Sequence, residues 1–492
     1  MEDKREILTL QIGGYSNWVG AHTWNLISSN RENDKDSEEL FDSETKENKP
    51  RVAIFDLRNR RGGLFMPEVV ESETPPWSNN VDKFCTELHP KLNLNWDSQD
   101  SNEVDLNQSL VWSDFMTNPL NESSHKEVPF WDVRNGAFSS FASGDFQHPD
   151  CILSVDYREE CIDVLRLLLE RSDQPQGCQC IFDVQGGFAG LASSVVSEFR
   201  DQCRSSAISC NLLLNPPTLP TDAPQNTDLL QSTRRHDSRT HIDHAITMHA
   251  ILEHTNVLFP LNCSHPTESN NQNVDALGLL QHSAQMATFI DTCSLPYRRP
   301  YDMSRKLMMT EWCSILTPRR DLRVMSAEMC IPDLDHLPPP PSSSSLSSSS
   351  SSPSLSFVPL DPSMRIDSSS ALPKRWTQLM VGRGVDKHHW PLSQDLAPSV
   401  QRYSFDAVVL PRSYPQGIFP PKHPPVPMRQ GSLLTSSGSS SALHPWLSSL
   451  SSSLVSHSAE EEAGRRESQM STEDSNSIAE DLMCLADSYS TD

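Results

Sequence analysis

Apolar residues in the first 215 positions fall in short continuous runs rather than in strict alternation. Ile7 to Ile12, Val52 to Leu57, Cys178 to Val184 and Ala207 to Leu214 each read as a strand. Strands apolar on both faces fit a parallel sheet covered on both sides. Between these runs the period lengthens to that of a helix. Asn17 to Ser29 places Val19, Thr23, Leu26 and Ile27 on one face, and Glu159 to Glu170 does the same with Ile162, Leu165, Leu168 and Leu169. Leu191 to Cys203 is a third helix. Gly13-Gly14 breaks the first strand, residues 185–190 form a turn, and the polar stretch 31–49 is expected to be a solvated loop. Residues 72–130 carry only weak helical hints. Strand, helix and strand at this spacing make a βαβ crossover, so the predicted fold class is α/β, with a doubly wound Rossmann-type domain over 1–215.

Beyond it the pattern predicts a helix from Thr240 to Glu253, a strand from Val257 to Leu261 and a helix from Val274 to Phe289. Residues 216–332 are assigned to the first part of a second α/β domain. Its late strands, Leu379 to Val381 and Ala407 to Leu410, lie in 376–425. Residues 333–375 read as a disordered linker, because Pro338 to Pro341 lead into a tract where ten of positions 342–352 are Ser. Such composition offers little to bury. The Ser-rich, acidic segment 426–474 is expected to behave likewise. Residues 475–492 then form a terminal helix and tail. Ser477 and Glu480 give a capping-box pattern, and Ile478, Leu482, Leu485 and Tyr489 make an apolar stripe. A stripe of this kind more often docks on its own domain than recruits a partner.

Composition narrows the function classes. The chain holds 18 Gly against 37 Pro, which argues against an enzyme built on glycine-rich phosphate loops. Its net charge of −25 argues against binding to nucleic acid or, through a basic patch, to an anionic bilayer. The 12 cysteines include no CxxC pair and read as reduced thiols. The acidic opening Met1-Glu2-Asp3 is unlike a secretory or mitochondrial leader, and no run of 18 apolar residues occurs. A soluble protein, with membrane association at most peripheral, is the expectation.

Candidate chemistry is sparse. Gly186, Gly187 and Gly190 sit between a strand end and a helix start, where amides bind anions, although a ligand-free βα turn is the commoner use of such a sequence. No Lys follows to make a P-loop. His241, His244, His249 and His254 crowd one helix without a clear third and fourth ligand, so no metal is assigned. No nucleophile stands out.

The opening Arg5 to Gly13, with Asn17, Gly20-Ala21 and Trp24, resembles the start of the tubulin family. Pro50-Arg51, the strand ending Asp56-Leu57, the turn at 185–190, Thr247 to His254 and Leu295-Pro296-Tyr297-Arg298 resemble later tubulin segments in the same order. Trp18, Trp24, Trp112 to Phe115, Phe182-Asp183 with Gly187 to Gly190, and the short acidic terminal helix are similar to one branch, the tubulin-related Misato family. The resemblance implies a tubulin-like fold and partial nucleotide-site matches at Gly13, Gly14, Asn17, Asp56, Gly186, Gly187 and Gly190. No cofactor is assigned with certainty; GTP is the one those positions could hold. Several departures argue against hydrolysis. Tyr15 and Ser16 replace small loop residues and Tyr15 is expected to crowd the phosphate spot; Arg58 reverses a charge, Phe188 and Ala189 interrupt the second loop, and the stretch from Phe289 to Leu295 leaves no room for a catalytic loop, with Asp291 its one carboxylate. What the family implies is a non-catalytic regulator of mitochondrial distribution, morphology and fusion, found in the cytoplasm and at the cytosolic face of the outer mitochondrial membrane. It would act through protein partners, with self-association open. A GTP-binding switch and a cell-division microtubule cofactor are the alternatives.

Overall fold

The computed structural model describes residues 5–31, 39–42, 49–58, 60, 111–130, 137–215, 229–263, 276–299, 306–331, 357–362, 374–385, 397–411, 414–415, 430–431, 433–456, 462, 465–466 and 470–490. The four apolar runs are strands: β1 (Ile7–Ile12), β4 (Val52–Leu57), β6 (Gly177–Asp183) and β7 (Ala207–Leu214). With β5 (His125–Val128) and β8 (Val257–Asn262) they form a six-stranded sheet of order β5-β4-β1-β6-β7-β8, parallel throughout. Every residue of β1, β4, β6 and β7 is buried, as a sheet covered on both faces requires.

Alternate side chains feed two cores. Ile7, Ile54 and Leu213 join α1 (Gly14–Ser29), α6 (Ala276–Arg298) and α7 (Met309–Leu316) on one face. Leu8, Leu10, Ile12 and Phe55 join α3 (Val155–Glu170), α4 (Gly187–Gln202) and α5 (Leu229–Leu252) on the other. Cys178 and Cys180 lie in this second core, on one face of β6 as their spacing predicts. A second sheet has the order β10-β9-β15-β11-β12, built from β9 (Ser326–Cys330), β10 (Val358–Pro359), β11 (Thr377–Arg383), β12 (Ser399–Phe405) and β15 (Leu433–Gly438). Two-residue pairs complete the strands: β2 (Phe41–Asp42) with β3 (Lys49–Pro50), and β13 (Val408–Val409) with β14 (Gln430–Gly431). Helix α6 packs against α1 on one side and against β11 and β15 on the other, and so couples the sheets.

The observed elements differ from the sequence expectations in several places. A boundary at 215 would cut the first sheet, because β8 pairs in parallel with β7. Within the supposed solvated loop 31–49, Leu40 and Phe41 are fully buried, and Phe41 stacks edge-on against Trp24. Within the supposed linker 333–375, Val358 and Pro359 pair with β9; its Ser tract lies outside the described residues. The larger correction concerns 426–474. Leu433 and Leu434 are buried in β15, and α8 (His444–Val455) buries Leu447, Leu450 and Leu454 after Leu443. Those four leucines recur at helical spacing, and the serines between them let another helix approach. Ser451 is buried and donates its hydroxyl to the Ala479 carbonyl at 2.7 Å. That second helix, α9 (Thr472–Ser488), starts before the expected Ser477 box. Ser471 is its N-cap, accepting from the Asp474 amide at 3.0 Å. Leu482 and Tyr489 of the terminal stripe are buried against α5 and α8, so the stripe docks on its own chain.

Candidate functional site

The carboxyl ends of β1, β4 and β6 converge where open α/β sheets bind ligands. Gly13 links β1 to α1 with φ 119°, a conformation that disfavours any side chain, and a Cβ there would lie 2.4 Å from the Asp183 carboxylate. Helix α1 follows at once, beginning at Gly14 rather than at Asn17. Its first amides are free to receive an anion. The group they hold is the side-chain carboxyl of Asp183, the last residue of β6. Oδ2 accepts from the Tyr15 amide at 2.9 Å and Oδ1 from the Ser16 amide at 2.8 Å. Thus the chain caps α1 with its own carboxyl group, from 168 residues away in sequence. Burial pushes Asp183 up to about 8; the two amides oppose this, while nearby Asp56 adds to it.

Asp56, at the end of β4, is fully buried and engaged at both oxygens. Oδ2 accepts from Trp112 Nε1 and Oδ1 from the Leu57 amide, each at 2.7 Å. Burial raises its pKa to about 6 against the pull of Trp112, Leu57, Asn17 and Arg60. Asn17 donates to the Phe55 carbonyl at 3.2 Å. Sequence reasoning placed Asp56 and Asn17 together and the structure does bring them together, with Asp183 as the member it missed. The available signal was an acid ending the central strand just before a glycine turn.

The expected obstruction by Tyr15 is not what closes this place. Its ring turns into the core between α1 and α6, and its hydroxyl bonds His282 Nδ1 at 2.8 Å. Ser16 folds back to donate to the Gly13 carbonyl at 2.7 Å. Arg58 is exposed beyond the end of β4.

The second glycine cluster has a packing explanation. Gly186 is the N-cap of α4, so Gly187 and Gly190 lie in its first turn and not in a loop. A Cβ on Gly187 would lie 2.4 Å from the Phe138 ring, and one on Gly190 would lie 2.1 Å from the Phe141 carbonyl oxygen. The Gly187 amide donates to the Phe138 carbonyl at 3.1 Å. These glycines admit the 138–145 segment, including the short helix α2 (Phe141–Gly144), close against α4. Phe188 points into the core, edge-on to Phe138 at 5.4 Å, so it does not interrupt a phosphate loop.

Asp291 lies inside α6, which runs unbroken through 289–295. Its carboxylate pairs with Arg298 at 2.6 Å and with Arg383 of β11, all three side chains being almost fully buried. Burial lowers the Arg383 pKa, and Asp291 offsets this only in part. An acid held in this way does not reach beyond the chain. The helix histidines are dispersed: His244 is buried and stacks on His241, and His249 bonds Asp481 of α9 at 2.9 Å. Among the described residues no cluster of three or more His, Cys, Asp or Glu could hold a metal ion, the cysteines are free thiols, and no helix is long and apolar enough to cross a membrane.

Comparison with known proteins bears on the fold that carries this site. Residues 5–110 match the family model described as the Misato Segment II tubulin-like domain. The chain is 24% identical over 379 residues to protein misato of Drosophila melanogaster, covering 65% of this chain and 63% of that one. It is 23% identical over 376 residues to protein misato homolog 1 of Homo sapiens, covering 63% of each. Protein DML1 of Gibberella zeae is 25% identical over 319 residues, with 60% of this chain and 61% of that one covered. The matched region is thus a little under two thirds of the length of the fly and human proteins. With its parallel α/β sheet, its tubulin-like segment and these relatives, the chain is similar to the tubulin-like Misato family.

Proposed function

We propose that the protein is a non-catalytic, tubulin-like scaffold that regulates mitochondrial distribution, morphology and network fusion. It acts in the cytoplasm and at the cytosolic face of the outer mitochondrial membrane, through protein partners. The observation that carries the non-catalytic part is the Asp183 carboxylate on the Tyr15 and Ser16 amides. A phosphate would have to displace it from those amides, and the burial that raises Asp183 to about 8 and Asp56 to about 6 makes further negative charge costly there. Retention of Asp291 by Arg298 and Arg383 supports the same reading, because it leaves no acid there to offer to a neighbour.

The likeness to the Misato relatives supports the mitochondrial part. Depletion in cells, with mitochondrial imaging and fractionation, tests it. The expected result is a fragmented or clustered network restored by the wild-type chain, with the protein recovered in part on mitochondria and released by alkaline carbonate. An unchanged network, or a protein absent from the mitochondrial fraction, would overturn it.

A further inference from the structure

At the opposite end of the first sheet, a cleft of about 360 Å³ opens among the ends of α4, α5 and α7 and the starts of β7 and β8. Its walls carry Arg200, Arg320 and Arg323, with His254, against a single acid, Glu253. In a chain of net charge −25 this is a local reversal of sign. None of the three arginines pairs with a carboxylate among the described residues.

Part of this charge has a structural use. Arg200 donates to the carbonyls of His254, Arg204 and Ser206 and to Asn256 Oδ1. Arg323 donates to the carbonyls of Arg320, Leu252 and Thr255. These bonds satisfy helix ends and loops. They leave the second terminal nitrogen of Arg323 without a partner, and they give no role to the exposed Arg320 guanidinium. Mutual repulsion with Arg323 is one reason, after burial, that the Arg200 pKa is lowered.

A second observation is independent of charge. Thr255 lines the same cleft and is only 2% exposed, yet its hydroxyl has no hydrogen-bond partner. A buried hydroxyl without a partner is a loss of about 1–3 kcal/mol unless a ligand satisfies it. Helix capping explains neither this hydroxyl nor Arg320.

We propose that this cleft binds a phosphate monoester, its oxygens seated among Arg200, Arg320 and Arg323 with the Thr255 hydroxyl donating. Three guanidiniums and a hydroxyl outnumber what one carboxylate can accept, and they suit a dianion with three acceptor oxygens. The cleft is within the range of small-molecule sites, with room for the group that carries the phosphate. The site lies away from Asp183, so this inference stands or falls separately from the non-catalytic reading.

The test is calorimetric titration of the full chain at low salt with inorganic phosphate and ribose 5-phosphate, with acetate at matched ionic strength as control. Sedimentation with phosphatidate-containing vesicles distinguishes a lipid headgroup from a soluble ester. Saturable one-to-one binding of phosphate or its ester is expected, weakened about tenfold or more by Arg320→Glu and by Thr255→Val. Arg320 makes no structural bond from its side chain, so its variant should unfold as the parent does, and it reports even if Thr255→Val is destabilised. Vesicle binding lost in Arg320→Glu assigns the phosphate to a lipid; soluble binding alone assigns it to a free ester. Phosphate no better than acetate, or binding unchanged in both variants, would overturn the proposal.

Discussion

Changing Tyr489 to Phe tests whether the serine-rich C-terminal region is part of the core. The Tyr489 hydroxyl accepts from the Val324 amide and donates to the Val324 carbonyl, both at 2.8 Å. Val324 uses neither group in the bridge to β8, which runs through the Arg323 carbonyl and the Met325 amide. Removing one oxygen therefore strands two buried backbone groups while leaving the ring in place, edge-on to Trp376 at 6.1 Å. At about 1–3 kcal/mol for each unsatisfied group, the expected destabilisation is about 2–6 kcal/mol. Urea unfolding followed by circular dichroism reads it, with the midpoint falling and the slope unchanged. A loss below about 0.5 kcal/mol, the ordinary range for a surface change, would refute the docking of α9.

Three other side chains give measurable consequences. Replacing Asp291 by Ala should destabilise by about 3–5 kcal/mol in the same assay, because Arg298 and Arg383 are left buried without their shared counter-charge. Burial holds the His22 imidazole down at about 3, so protons bind the unfolded chain in preference between that value and the ordinary one near 6.5. Its contribution is complete above pH 6.5 and falls by about 1.4 kcal/mol per unit as pH drops, and the wild-type curve minus the His22→Leu curve should show that slope. Asp183 has the opposite sign: with a folded pKa raised to about 8, its contribution is present below the unfolded value near 4 and is lost as pH rises towards 8. Asp183→Asn should remove that decline, and stability–pH curves of the two proteins superposing in shape would count against the burial argument.

The first sheet was legible because its strands are continuous apolar runs separated by clear helical periods. β1 and β4 match their expected spans residue for residue, since Gly13 and the arginines after Leu57 mark their ends. The C-terminal region was not legible for a physical reason. Serine dominates its composition, but Leu443, Leu447, Leu450 and Leu454 supply a full buried stripe, and the serines serve as small residues at a close helix contact. The candidate site was half legible. The tubulin resemblance marks Asp56 and Asn17, whereas the role of Asp183 depends on a bond spanning 168 residues that no local pattern reveals. Gly187 and Gly190 misled because a glycine required by Phe138 or Phe141 looks, in sequence, like one required by a phosphate.

The central claim is that Asp183 fills the place at α1 where a nucleotide phosphate would sit. Equilibrium titration of labelled GTP into the Arg320→Glu chain, with and without Mg²⁺, tests it most directly, since that variant silences the arginine cleft. The account predicts no saturable binding and no turnover at micromolar protein. Saturable, Mg²⁺-dependent binding that disappears when Gly13 is changed to Ala would contradict it.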